Sequence, residues 1–157
     1  MTSHFFDITR KVRSTILLVL ANWILCAGAT AQQQNSIRFL NQAYSTSPFS
    51  EAVLVGNLLY VSGQMGLQPG TTTLIPGGIE AESKQAMENL KATLERYNYS
   101  MKDVIKCTGM LADMKEFGSF NTAYLSFFSK PYPVRSVIGV NGLAFGGRVE
   151  VECIASK

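Results

Sequence analysis

Arg135 and Glu150 are the two side chains of this 157-residue sequence whose types and surroundings best suit chemistry. Each interrupts an apolar, alternating run. Arg135 lies in Val-Arg-Ser-Val-Ile-Gly-Val and Glu150 in Arg-Val-Glu-Val-Glu-Cys-Ile-Ala. A guanidinium holds a carboxylate through two parallel charge-assisted hydrogen bonds. A carboxylate in partly apolar surroundings has a raised pKa and exchanges protons with water near neutrality. Together the two suit a small substrate that carries a carboxylate. The loop between the runs contains Asn141, Gly142, Gly146 and Gly147, and this pattern predicts a β-hairpin over residues 131–155. With the turn centred near Gly142–Leu143, Arg135 falls opposite Glu150. The same pair also reads as an ordinary cross-strand ion pair, which contributes little when exposed.

The rest of the chain narrows the chemistry. Arg10, Lys11 and Arg13 precede an apolar run from Thr15 to Cys26, which ends in Ala27-Gly28-Ala29-Thr30-Ala31. A positive start, a short apolar stretch and an Ala-x-Ala site predict a signal peptide over residues 1–31, cut before Gln32. The alternative is an uncleaved anchor, but Asn22 interrupts the run and its length is marginal for spanning. The expected mature chain, residues 32–157, is one exported domain, periplasmic or secreted, with no stable membrane anchor. Three of the 14 Lys+Arg and one of the 11 Asp+Glu lie in the leader, so 11 basic residues face 10 acidic ones in the remainder. No basic cluster remains to mark a nucleic-acid partner. The one histidine, His4, also lies in the leader. A mature domain without histidine has no Ser-His or Cys-His nucleophile pair and no histidine-ligated metal. No metal or cofactor is expected. Cys107 and Cys153 sit in apolar alternating segments. They fit either a disulfide or two small buried hydrophobes, and the second reading is preferred here.

The elements that must position Arg135 and Glu150 follow from periodicity. Strands are predicted over Ile37–Leu40, Glu51–Val55 and Asn57–Ser62, the last two joined by a Gly56-Asn57 turn. Their nearly continuous apolar residues point to a sheet covered on both faces, and hence to a partner subunit. From Ile79 to Tyr97 the period becomes 3.6, with Ile79, Ala86, Met87, Leu90, Leu94 and Tyr97 on one face. Glu80 and Glu82 read as acids favoured by the helix start. Met101–Asp113 returns to β character. Lys115–Ser129 is a second helix, with Phe117, Phe120, Tyr124, Phe127 and Phe128 as its core stripe. The order β, β, β, α, β, α, β, β defines an α+β domain with two helices on one face of a mixed sheet.

Several segments together resemble the RidA (YjgF/UK114) family. They are Ser47-Pro48-Phe49-Ser50-Glu51-Ala52-Val53, Tyr60-Val61-Ser62-Gly63-Gln64, Gly77-Gly78-Ile79, Asn89-Leu90, Val104-Ile105-Lys106, Phe117, Asn121, Tyr124, Arg135-Ser136 and Val149 to Ala155. The resemblance implies a chorismate-mutase-like fold and a homotrimer whose sheets form a central barrel, with sites in the clefts between subunits. It implies hydrolysis of 2-imino acids, or their enamine tautomers, to 2-oxo acids and ammonia. Arg135 would then hold the substrate carboxylate and Glu150 would serve the hydrolytic water. Phe49, Ser62, Asn121 and Val137 would line the pocket. Phe49 stands where tyrosine is usual, Ser47 where glycine is, and Val137 where many active members carry cysteine. Ala144 replaces a common loop proline, and Glu82 sits where glutamine is frequent. The competing expectation is a non-catalytic trimeric module that binds small carboxylates or acts like a chaperone. Ribonuclease activity, also attached to the family, fits poorly with a histidine-free domain of low basic charge.

Overall fold

The computed structural model describes residues 36–41 and 46–157. The expected signal peptide and its cleavage point lie outside these residues. Six strands and two α-helices follow in the order β1 (Ile37–Leu40), β2 (Ala52–Val55), β3 (Leu58–Met65), α1 (Gly78–Arg96), β4 (Val104–Leu111), α2 (Phe117–Leu125), β5 (Val134–Gly139) and β6 (Val149–Ser156). The sequence-predicted order therefore holds, and so does the α+β class. The β character expected from Met101 begins only at Val104, because Met101–Asp103 forms a 3₁₀ turn closed by reciprocal Ser100 and Asp103 bonds. The second helix is shorter than its periodicity suggests. Met114–Glu116 is 3₁₀, and Phe127 and Phe128 lie beyond the α-helical turns.

All six strands join one mixed sheet in the order β1-β2-β3-β6-β4-β5. Only the β4–β5 pair is parallel, with Cys107 beside Arg135, whereas β4–β6 is antiparallel, with Cys107 beside Cys153 and Met110 beside Glu150. The predicted hairpin over 131–155 is thus corrected: β4 lies between β5 and β6, and Arg135 does not face Glu150. A tight hairpin loop has two to five residues, while residues 140–148 form a longer arch over the end of β4. Val140 N–H bonds the Leu111 carbonyl at 2.9 Å and Ala112 N–H the Arg148 carbonyl at 3.0 Å.

Period-two alternation decides which face of the sheet is covered. On β6 the side chains of Val149, Val151, Cys153 and Ala155 are buried, and those between them are half-buried or exposed. The buried set meets Ala86, Met87, Leu90 and Leu94 of α1 and Phe120 and Tyr124 of α2 in one core. The second helix comes close because residue 109 is glycine. A Cβ there would stand 2.9 Å from the Phe120 ring. Across β4 and β6, Cys107 and Cys153 form a disulfide inside this core, with Cα atoms 4.1 Å apart. Preferring two free thiols was therefore wrong. The strand register places the two cysteines directly opposite each other on the buried face, which sequence spacing cannot reveal. The other face of the sheet carries Tyr60, Ile105 and Ile138, which are 43%, 47% and 49% exposed.

Candidate active site

The strand register divides the expected site residues into two groups. Arg135 shares the parity of Cys107 and so projects on the helix side of β5. Its guanidinium carbon sits 4.4 Å from the Tyr124 ring centroid, 5.7 Å from Phe120 and 5.9 Å from Phe117. Nη2 donates to Asn121 Oδ1 at 2.7 Å. The first turns of α2 explain this cage, because positions 117, 120, 121 and 124 fall on one face at helical spacing. Nη1 is buried with no hydrogen-bond acceptor among the described residues. Among the described residues no carboxylate pairs with Arg135. Its charge is met by π faces and one amide oxygen, both weaker partners than a carboxylate. Val137, two positions on, shares this face and packs against the core.

Glu150 shares the parity of Met110 and Glu152, so it occupies the opposite face. Two strand spacings and three residues of register separate it from Arg135, on the order of 14 Å between Cα atoms. Within one chain a small molecule cannot touch both. The Glu150 carboxylate leans over Gly63, where a Cβ would lie 1.8 Å from Oε1. The glycine falls in the irregularity of β3 between Val61 and Gln64. Burial, reinforced by the neighbouring Glu152, pushes the Glu150 carboxyl above the ordinary carboxylate range. That is the direction a group exchanging protons with water near neutrality requires.

Ser62 is next to Gly63, but its hydroxyl donates to the Ser50 carbonyl at 2.7 Å. Phe49, 63% exposed, lines a cleft of about 350 Å³ with Ser62, Gly63 and Gln64. Gly63 thus borders both the Glu150 carboxylate and the cleft of Phe49 and Ser62, while Asn121 and Val137 accompany Arg135. The far wall of that cleft is Asn89, Thr93 and Arg96 of α1, and Glu150 does not line it. Glu82 proves to be more than a helix-start acid. It is buried and accepts the Arg148 backbone N–H at 2.9 Å, pinning the arch before β6 to α1. Sequence reasoning missed two site features. Gly63 makes room for the acid, and its position inside a strand run was the available signal. The rings of α2 were read as core only, although their spacing with Asn121 marks a single face.

Residues 39–157 match the family described as endoribonuclease L-PSP, and the chain belongs to this family, which includes the RidA proteins. The chain is 41% identical to the 2-iminobutanoate/2-iminopropanoate deaminase of Bos taurus over 108 residues, 69% of this chain and 79% of that protein. RidA from an Antarctic Psychrobacter has a similar structure, with a TM-score of 0.70, 35% identity, and coverage of 76% of this chain and 99% of that one. E. coli TdcF, solved with bound serine, gives a TM-score of 0.67 at 29% identity over 72% of this chain and 91% of its own.

Proposed function

We propose that this protein is an imine deaminase that converts 2-imino acids of the 2-iminopropanoate and 2-iminobutanoate type to 2-oxo acids and ammonia. The observation that carries this reading is Arg135, a guanidinium oriented by Asn121 and aromatic rings and, among the described residues, left without an acidic partner. Such a group binds a substrate carboxylate bidentately. The substrate C=N carbon is already electrophilic, especially when protonated, so no covalent nucleophile is needed. Glu150 takes a proton as water adds to that carbon and forms the C–O bond. It returns that proton to the nitrogen, then takes the hydroxyl proton of the addition product as the C–N bond breaks, the carbonyl forms and ammonia leaves, and ammonia carries this last proton away. The deaminase name of the bovine relative and the serine bound to the E. coli relative support the same substrate size and charge.

Because Arg135 and Glu150 lie on opposite faces of one sheet, the reading includes a second copy. Arg135 of one subunit is brought to Glu150 of its neighbour in a homotrimer of chorismate-mutase-like subunits whose sheets form a central barrel. The exposed apolar side chains of the open face, Tyr60, Ile105 and Ile138, support such an assembly. Residues 1–31 are read as an export signal, and the disulfide suits an oxidising compartment.

The test generates 2-iminopropanoate with an amino-acid oxidase and follows its decay with added protein. The wild type should accelerate decay, and Arg135→Ala should lower kcat/KM by at least 100-fold, an order-of-magnitude expectation for losing a charge-assisted anchor. Equal acceleration by both proteins would remove Arg135 from its role. A non-catalytic small-carboxylate-binding or chaperone-like module is the second reading. It is favoured by the Ser62 hydroxyl being engaged by Ser50 and by Phe49 lacking a hydroxyl. Retention of 2-oxo acids without any turnover would select it.

A further inference from the structure

In the reaction described so far Tyr124 is only one of three rings around Arg135, although it is the nearest of them to the guanidinium. It is 2% exposed and held at 5.8 Å from the Phe120 ring and 4.8 Å from the Phe128 ring. Neighbours on both sides fix its plane. Its hydroxyl is buried and has no hydrogen-bond partner among the described residues, and burial raises its pKa, so the side chain is neutral. The guanidinium carbon of Arg135 lies over this ring at 4.4 Å, while Nη1 finds no acceptor among the described residues. A cation over a π face is attracted electrostatically, more strongly when both are withdrawn from water. A carboxylate at this position would satisfy the arginine but compete with the substrate. An aliphatic side chain would remove the nearest π face and leave the half-buried guanidinium to Asn121 and the more distant Phe117 and Phe120 rings.

We infer that Tyr124 is the positioning residue for Arg135, and that its ring, rather than its hydroxyl, holds the guanidinium for an incoming carboxylate. This rests on Arg135 being the substrate anchor. The platform stabilises the arginine equally in the bound ground state and in the transition state, so its loss falls on KM rather than kcat.

Imine decay with Tyr124→Leu should show KM raised about 10-fold or more and kcat within about threefold. Tyr124→Phe, which keeps the ring, should bring KM back to within about twofold of the wild type. A merely structural role would not separate the two constants or be rescued in this way. Equal KM values for the leucine variant and the wild type, with Arg135→Ala inactive, would overturn the inference and leave the proposed function standing. An active Arg135→Ala would instead overturn the function on which it rests. If Tyr124→Leu does not fold, the wild type decides. The Arg135 Nε–Hε proton, assigned by its loss in Arg135→Lys, should be shifted upfield by the ring. An unshifted resonance overturns the stacking.

Discussion

Glu150 illustrates how a single residue serves reactivity at the expense of stability. Its carboxyl is raised above the usual range by burial, with Glu152 adding repulsion. As pH rises, the unfolded chain releases this proton first, and the native state is penalised until its own pKa is passed. The cost is absent below the ordinary carboxylate pKa and complete above the folded one. Glu150→Gln should therefore raise the urea midpoint near pH 8 and leave it unchanged near pH 3, while abolishing imine hydrolysis. Gly63→Ala tests the same carboxylate from the other side. The added Cβ would occupy the place of Oε1, so kcat should fall about 10-fold or more, with much of the effect on kcat rather than KM. At this scale the sequence was informative about type and poor about neighbours. Arg135 and Glu150 stood out as charges in apolar runs, but the rings over Arg135 lie on an element 11 to 18 residues upstream, and no local pattern joins them.

Among the elements, helices and strands were legible because periods of 3.6 and 2 record which side of each segment is buried. Pairing was not, since alternation fixes a strand's faces without naming its neighbour. Val134–Gly139 and Val149–Ser156 each have hairpin-like alternation, yet β4 separates them. The same separation aligns Cys107 with Cys153, and their disulfide closes a sequence separation of 46 residues. On the chain-entropy model a loop of that size is worth about 4 kcal/mol. Replacing both cysteines with alanine should lower unfolding free energy by about 2–4 kcal/mol in urea titrations. A loss no larger than that of a surface substitution would show that the bridge contributes nothing. Phe120→Ala, which empties the space beneath Gly109 and loosens α2, should cost about 3–5 kcal/mol and weaken substrate binding as the Arg135 cage opens.

At the scale of the whole molecule, the sheet keeps anchor and acid apart, and the proposed trimer reunites them across a subunit boundary. Apolar residues on both faces of β2 and β3 already suggested a partner from sequence alone, whereas the division of the site required the strand order. Mixing provides the test. Arg135→Ala and Glu150→Gln chains, each inactive alone, should regain activity when refolded together, because each mixed trimer contains one cleft with both an intact arginine and an intact glutamate. No recovery, with mixed trimers demonstrated by mass spectrometry, would place both groups in one subunit's site.

The position of β4 between β5 and β6 has a consequence for quantity. If no single chain can bring Arg135 to Glu150, the active species is the associated one, and its abundance obeys mass action. Far below the association midpoint it would vary with the cube of the monomer concentration, so turnover per chain would collapse on dilution. A topological detail of one sheet would then act as a concentration threshold, below which the polypeptide is present but catalytically silent.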